Sequence, residues 1–182
     1  MAIDLGAIAY NMHPELKSYT GISQLIEANQ DIPPDELIYP RMTWNWTIKY
    51  TPEARQSIIA NKAVVASDDP NFDKDIEYSY ITVPRVTLSI NVFGDDVSQY
   101  INKAREWFTI TQLGPRFLED YNAVVKEVTN TQDRKTFLET DYEDRQGFDV
   151  ILSIEETIKV IEKTIEQVEI TDQDGNTKIY DL

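Results

Sequence analysis

The residue types that could do chemistry fall in a few short stretches. Asp172-Gln173-Asp174-Gly175 has the acid-x-acid-glycine opening of a calcium loop. It lacks the third acidic ligand before the glycine and a bidentate glutamate at the right spacing. A β-turn built on Asp-Gly explains the same residues and is the expected reading. Acids also pair at Asp68-Asp69, Asp95-Asp96 and Glu143-Asp144, and each pair could hold a hard cation. With 32 acidic residues in the chain such pairs arise by chance, so capping or solvation is the default. His13 is the sole histidine, which excludes any site needing two imidazoles. Beside Pro14 it reads as structural or solvent-exposed, not catalytic. A serine nucleophile would have only His13 as its base, and no nucleophile elbow supports one. The chain has no cysteine, which rules out disulfides, thiolate nucleophiles and cysteine-ligated zinc. Its 6 glycines are scattered and form no phosphate-cradling loop. The chain reads as non-enzymatic, with no catalytic residue, no metal ligand set and no cofactor.

The elements that carry these residues must come from 182 amino acids, of which 41% are hydrophobic, with 3 Trp, 10 Tyr and 6 Phe. That length suits one domain, 1–182, and the aromatic content excludes a disordered chain. No apolar run approaches the ~20 residues that span a bilayer, and the N-terminus lacks the basic start and long apolar middle of a signal peptide. A soluble product made in a cytoplasm is expected. The formal charge of −15 argues against a dedicated nucleic-acid binder, which needs a basic face to displace counterions.

Residues 1–38 read as an N-terminal helical or loop segment. Ile22, Leu25 and Ile26 place a short helix from near Thr20 to Asn29, His13-Pro14 reads as a turn or helix start, and Pro33-Pro34 stops any helix. Arg41 to Tyr50 is the cleanest strand, with Met42, Trp44, Trp46, Ile48 and Tyr50 on one face. That face is core or a subunit interface; an aromatic cage for a ligand is the sharper alternative. In 51–75, Thr51-Pro52-Glu53 has the form of a helix start. Ser57–Ala60 and Ala63–Ala66 instead flank Asn61-Lys62 as a hairpin would, and a protruding hairpin or long loop is preferred.

A long strand is read from Ile76 to Val92, with Pro84 marking an edge or bulge. A helix follows, capped by Asp96 with Gln99 in a near capping box and ended by Gly114-Pro115. Its stripe is Val97, Tyr100, Ile101, Ala104 and Phe108, with Trp107 beside it. Strands are expected at Ala123–Thr129 and Lys135–Tyr142. In the next, Phe148, Val150, Leu152 and Ile154 face one way and Asp149, Ile151 and Ser153 the other. Ile154, Ile158, Ile161, Ile165 and Val168 fit a helix by spacing and a strand by β-branching, and both stay open. Thr177–Tyr180 is expected to pair back on Val168–Ile170 across a turn at 172–176.

Several blocks in this order resemble the neck/tail-terminator proteins of tailed bacteriophages over roughly residues 37–170. They are Tyr39-Pro40, then Ser89-Ile90-Asn91-Val92-Phe93-Gly94 running into the Ala104/Trp107/Phe108 helix. Asp133-Arg134, Phe137-Leu138-Glu139 and Tyr142-Glu143-x-Arg145-x-Gly147-Phe148-Asp149 complete the set. The chain departs from the pattern at Arg41, where an aromatic often follows Tyr39-Pro40, and in 51–75. The resemblance implies an α/β (α+β) fold with helices on a mainly antiparallel, twisted sheet. It also implies a ring, usually a hexamer, that caps the tail tube, stops its polymerisation and meets the neck or head connector. Partners would be copies of itself, the tail tube protein and neck proteins, with DNA passing through the lumen unbound. Tyr39, Pro40, Gly94, Trp107, Arg134, Tyr142, Arg145, Gly147, Phe148 and Asp149 would then be structural. Gly147 would allow a bend or close backbone approach, and Arg145 would pair with a carboxylate. The alternatives are another neck adaptor or completion protein, an acidic metal-dependent hydrolase, and a DNA-mimic binding module.

Overall fold

The computed structural model describes residues 3–51, 58–68, 73–134, 136–138, 141–163, 167–171 and 177–181. In chain order the first elements are α1 (Leu5–Thr20), β1 (Gln24–Glu27), β2 (Arg41–Thr51), β3 (Ile58–Ala66) and β4 (Lys74–Thr82). Next come β5 (Arg85–Phe93), α2 (Val97–Thr109), α3 (Gly114–Glu119) and β6 (Ala123–Val128). The short β7 (Gln132–Asp133), β8 (Thr136–Leu138) and β9 (Asp141–Glu143) lead into β10 (Arg145–Ile154). The chain closes with β11 (Glu156–Lys163), β12 (Gln167–Thr171) and β13 (Thr177–Asp181). Two compact units result, one of Ala2–Ala54 with Val83–Glu156, the other of Arg55–Thr82 with Thr157–Leu182. The α+β class is as expected.

The larger unit is a six-stranded sheet in the order β1-β2-β5-β10-β6, with β7 also on β10. All its pairings are antiparallel except β1 on β2. Register puts Trp44, Ile90 and Phe148 in one row and Trp46, Leu88, Val150 and Val128 in the next. Because strand side chains alternate, these rows share a face. Helix α2 packs on β5, β10 and β6 through its stripe Val97, Ile101, Ala104, Trp107 and Phe108. Trp107 meets Phe108 edge-on at 4.7 Å, and Phe108 meets Phe148 at 6.2 Å. Each such buried side chain stabilises the fold by roughly 1.5–3 kcal/mol through area alone.

Several expectations are corrected here. The N-terminal helix is α1, not a segment beginning near Thr20. Asp4 caps it through Ala7 N–H at 2.9 Å, and Gly21 ends it in the left-handed region at φ 71°. Its core stripe is Ile8, Met12, Leu16 and Thr20, so Leu25 and Ile26 belong instead to a strand beside β2. Pro14 lies inside α1. The bond it removes is to Tyr10, whose side chain is 81% exposed, where water can take up the freed carbonyl. The strand read across Pro84 is two strands in different sheets, because the proline falls in the break and cannot donate to a ladder. Asp96 makes no side-chain cap; its φ of 55° leaves the role to the carbonyl, which accepts from Gln99 N–H at 2.9 Å. Gly114 opens α3 instead of ending α2, which stops at Thr109. Lys135–Tyr142 is not one strand: β8 and β9 pair with each other.

The smaller unit contains the sheet β11-β4-β3 and the pair β12-β13. Strand β3 runs straight through Asn61-Lys62, with a bulge between Ile59 and Asn61. A two-residue turn wants φ > 0 at both positions, which Asn-Lys supplies poorly. The β3–β4 connection lies beyond Ala66, where Ser67 N–H donates to Asp73 C=O at 3.1 Å. Glu156–Lys163 and Gln167–Thr171 are strands, so β-branching outweighs the helical spacing there. Val168 pairs with Tyr180 and Ile170 with Lys178, as expected. The helix start at Thr51-Pro52-Glu53 and the Asp172 to Asn176 turn lie outside the described residues.

Candidate functional site

The face of the large sheet opposite α2 holds four of the signature residues, Arg134, Arg145, Gly147 and Asp149, for a local reason. Arg145, Gly147 and Asp149 alternate along β10, so all three point away from the helices. Register sets Arg145 beside Phe93, Gly147 beside Asn91, and Asp149 beside Ser89. Arg41 flanks Phe93 from the other side. Phe93 is thus stacked between two guanidinium groups, with Arg41 at 4.6 Å and Arg145 at 4.9 Å from the ring centroid. Arg41 also lies 4.6 Å from the Tyr39 ring and donates to its hydroxyl at 2.8 Å.

Arg134 crosses this face. Its Nη1 donates to Ser89 Oγ and Asn91 Oδ1, both at 3.0 Å, and its Nη2 reaches both Asp149 carboxylate oxygens at 3.3 Å. Arg145 Nη2 donates to the same Asn91 Oδ1 at 3.2 Å. Ser89 and Asn91 are buried, so leaving them without partners would be costly. The guanidinium passes over Gly147, where a Cβ would sit 2.4 Å from Asn91 Oδ1, 2.8 Å from Ile90 C=O and 2.9 Å from Arg134 Nη1. Gly147 therefore serves a close approach, and its backbone is not in the left-handed region. Thr129 Oγ1 accepts from Asp149 N–H at 2.8 Å, closing the network onto the end of β6.

Gly94 does need positive φ, at 102°, and an added Cβ would meet Tyr39 Cδ1 at 2.8 Å. Its N–H donates to Asp144 C=O, tying the Tyr39-Pro40 segment's neighbour to the start of β10. Pro40 follows a cis peptide bond. Tyr142 stands on β9 opposite Phe137. Trp107 and Phe148 are on the core side. Asn91, Ser89, Phe93 and Thr129 complete the network. Ser89, Asn91 and Phe93 fall in the Ser89–Gly94 signature block, where Ser89 and Asn91 are polar residues at alternate positions of an otherwise core-forming strand.

Replacing Arg134 by Lys keeps the charge but not the planar fork that serves the Ser89, Asn91 and Asp149 side chains together. The Arg134–Asp149 pair is 21% and 34% exposed, so solvent screening limits the loss. Arg134→Lys is expected to cost about 1–2 kcal/mol, read as a lower urea midpoint with an unchanged slope.

A cleft of about 750 Å³ lies between α1 and the outer part of β2, lined by Ala9, Tyr10, His13, Trp44 and Trp46 among others. Trp44 is buried in the core beside Ile90, Trp46 is partly buried, and both line the cleft. Burial, then the charge of Lys17, holds the His13 pKa below its usual 6.5. The folded chain thus binds this proton less tightly than the unfolded chain does. The stability this gives is complete above pH 6.5 and is lost as pH falls through the lowered folded-state value. His13→Gln is expected to flatten that part of a melting-temperature profile against pH. A profile identical to the parent's would overturn this.

Among the described residues no group of three or more His, Asp or Glu side chains converges to hold a metal ion, and no helix is long and apolar enough to cross a membrane. The arrangement on the polar face is a clasp: fixed guanidinium groups joining strands distant in sequence. The class that the sheet and its helices define is an α+β protein. The model of the phage neck terminator proteins matches residues 12–177, and the chain belongs to that family. It is accordingly a structural protein of the neck or tail of a bacteriophage virion. No curated protein matches it.

Proposed function

We propose that this chain is the subunit of a ring that caps the phage tail tube, stops its polymerisation and joins the tail to the neck or head connector. The observation that carries this reading is the family match across 12–177. The polar-face clasp supports it, because it holds together strands that are distant in sequence. The signature residues, from Tyr39 to Asp149, stiffen the subunit in this reading, and both compact units act as one domain. Identical subunits close a ring through heterologous contacts, each presenting two different surfaces. The charge of −15 per copy suits a lumen that lets DNA pass unbound, since carboxylates repel phosphate over a Debye length of about 8 Å at physiological salt. Assembly takes place in the host cytoplasm, and the tail tube and neck proteins are the partners. Tails assembled without this protein should carry abnormally long tubes. Tubes of normal length would overturn the reading.

A further inference from the structure

Strand β2 is covered along only part of its outer edge. There β1 pairs with residues 41–44, and the last backbone bond runs from Ala28 N–H to the Trp44 carbonyl at 2.8 Å. Among the described residues no strand lies beside 45–51 on that side. This leaves an open edge of roughly 23 Å, at about 3.3 Å per residue. Trp46 and Lys49 of this run line the cleft of about 750 Å³ between α1 and β2, a volume typical of ligand sites. Leu5, Ala9 and Tyr10 form the helix wall, and Trp44 joins Trp46 on the strand wall. Both indole Nε1 atoms in that wall are buried with no hydrogen-bond partner, and an unmet buried donor is costly. Two residues of opposite charge line the cleft, Glu27 and Lys49. Neither forms an ion pair among the described residues.

We infer that this cleft takes an extended segment of another neck or tail protein, added to β2 in line with β1. The open edge selects polypeptide, because a backbone offers donors and acceptors at the spacing of a strand. Its carbonyls also bring acceptors to the wall that holds the two indole N–H groups. An apolar side chain of the segment fills the space between Ala9 and Trp46. Charge then selects the source. Glu27 stands beside Trp44 in register, and Lys49 is five positions farther along β2, with a register shift between Trp46 and Ile48. The segment therefore carries a basic and an acidic residue about four apart, an even spacing that keeps both on the cleft side. No described edge strand of this chain does so. On β3 there is only Lys62, and on β6 Lys126 adjoins Glu127. Every pair of opposite charges on β11 is one, three or seven positions apart, and Lys178 and Asp181 on β13 are three apart. Odd spacings put the two charges on opposite faces. The remaining edge strands carry charge of one sign or none. Charges at the rim of a contact set partner choice more than affinity, so another protein fits this edge and a second copy does not. The inference rests on the proposed joining role and names a contact that performs it.

Tyr10 lines the cleft and is 81% exposed, so a photo-crosslinking residue, p-benzoylphenylalanine, replaces it in the full chain. The protein is added to tails assembled without it, alone and with purified heads, and irradiated; the joined peptides are then sequenced by mass spectrometry. The expected product links position 10 to one segment of another virion protein, with a basic and an acidic residue four apart. A cross-link to a second copy would overturn the source, and a segment without that charge spacing would overturn the charge match. Particles that take up the protein with no cross-link would overturn the site. All three results leave the cap reading standing, since that reading fails on tube length alone. Lys49→Glu, on an exposed side chain, should weaken uptake at least threefold at low salt and by less at high salt, with the melting temperature unchanged. Uptake equal to the parent's at low salt would also overturn the charge match.

Discussion

Gly147→Val should yield little or no soluble, assembled protein. The first atom added already lies 2.4 Å from Asn91 Oδ1 and 2.8 Å from the Ile90 carbonyl. The Ile90 carbonyl belongs to β5, which is paired on both sides by β2 and β10, so it cannot yield without breaking two ladders. Overpacking a tight site costs about 1–3 kcal/mol. Displacing Arg134 adds the loss of hydrogen bonds to a charged group, about 1.5–3 kcal/mol. Set against a total stability of about 5–15 kcal/mol, the sum leaves a marginal chain at best. Soluble yield and denaturant unfolding measure it directly. A Gly147→Val protein that folds and assembles like the parent would show that the Arg134 crossing is not required. Gly147→Ala should fail in the same direction but less completely, since only the Cβ must be accommodated.

Trp107→Ala should cost about 3–5 kcal/mol, the usual range for removing a buried large aromatic. The ring is 2% exposed and lies 5.8 Å from Phe117 and edge-on to Phe108. On another side it meets Gly114, where even a Cβ would come within 2.6 Å of Trp107 Cε3. Glycine at the start of α3 is thus fitted to the tryptophan of α2, and removing the indole leaves a cavity that two helices and a sheet cannot close together. Urea unfolding should show a lower midpoint with a similar slope. A loss below about 1 kcal/mol would mean that the helices collapse onto the vacated space.

These two residues were legible for different reasons. Trp107 sits in a stripe with Ile101, Ala104 and Phe108, and a helical period is written in a dozen consecutive residues. Gly147 stood out as a lone glycine before an alternating run, but the sequence left open whether it made a bend or a close approach. Only the neighbouring strand answers that, because Asn91 is placed opposite by register. The same difference explains the errors. α1 is masked in the sequence because its stripe recurs every fourth residue, ends on a threonine and is crossed by Pro14. Residues 76–92 look like one strand in the sequence because alternation continues past Pro84, whereas the hydrogen bonds go to different sheets on its two sides.

The amino-acid order by itself determined the class of the protein and most of its strand faces. Phe148, Val150, Leu152 and Ile154 are buried as their alternation required, and the signature blocks pointed to the family that matches residues 12–177. Periodicity is a property of neighbours in the chain, so it survives without knowledge of the fold. Pairing is not. That Arg134 bridges Ser89, Asn91 and Asp149, and that Phe93 lies between Arg41 and Arg145, are decided by which strands meet and in what register. Those choices minimise the free energy of the whole sheet and the loops that close it, and no single stretch of residues encodes them.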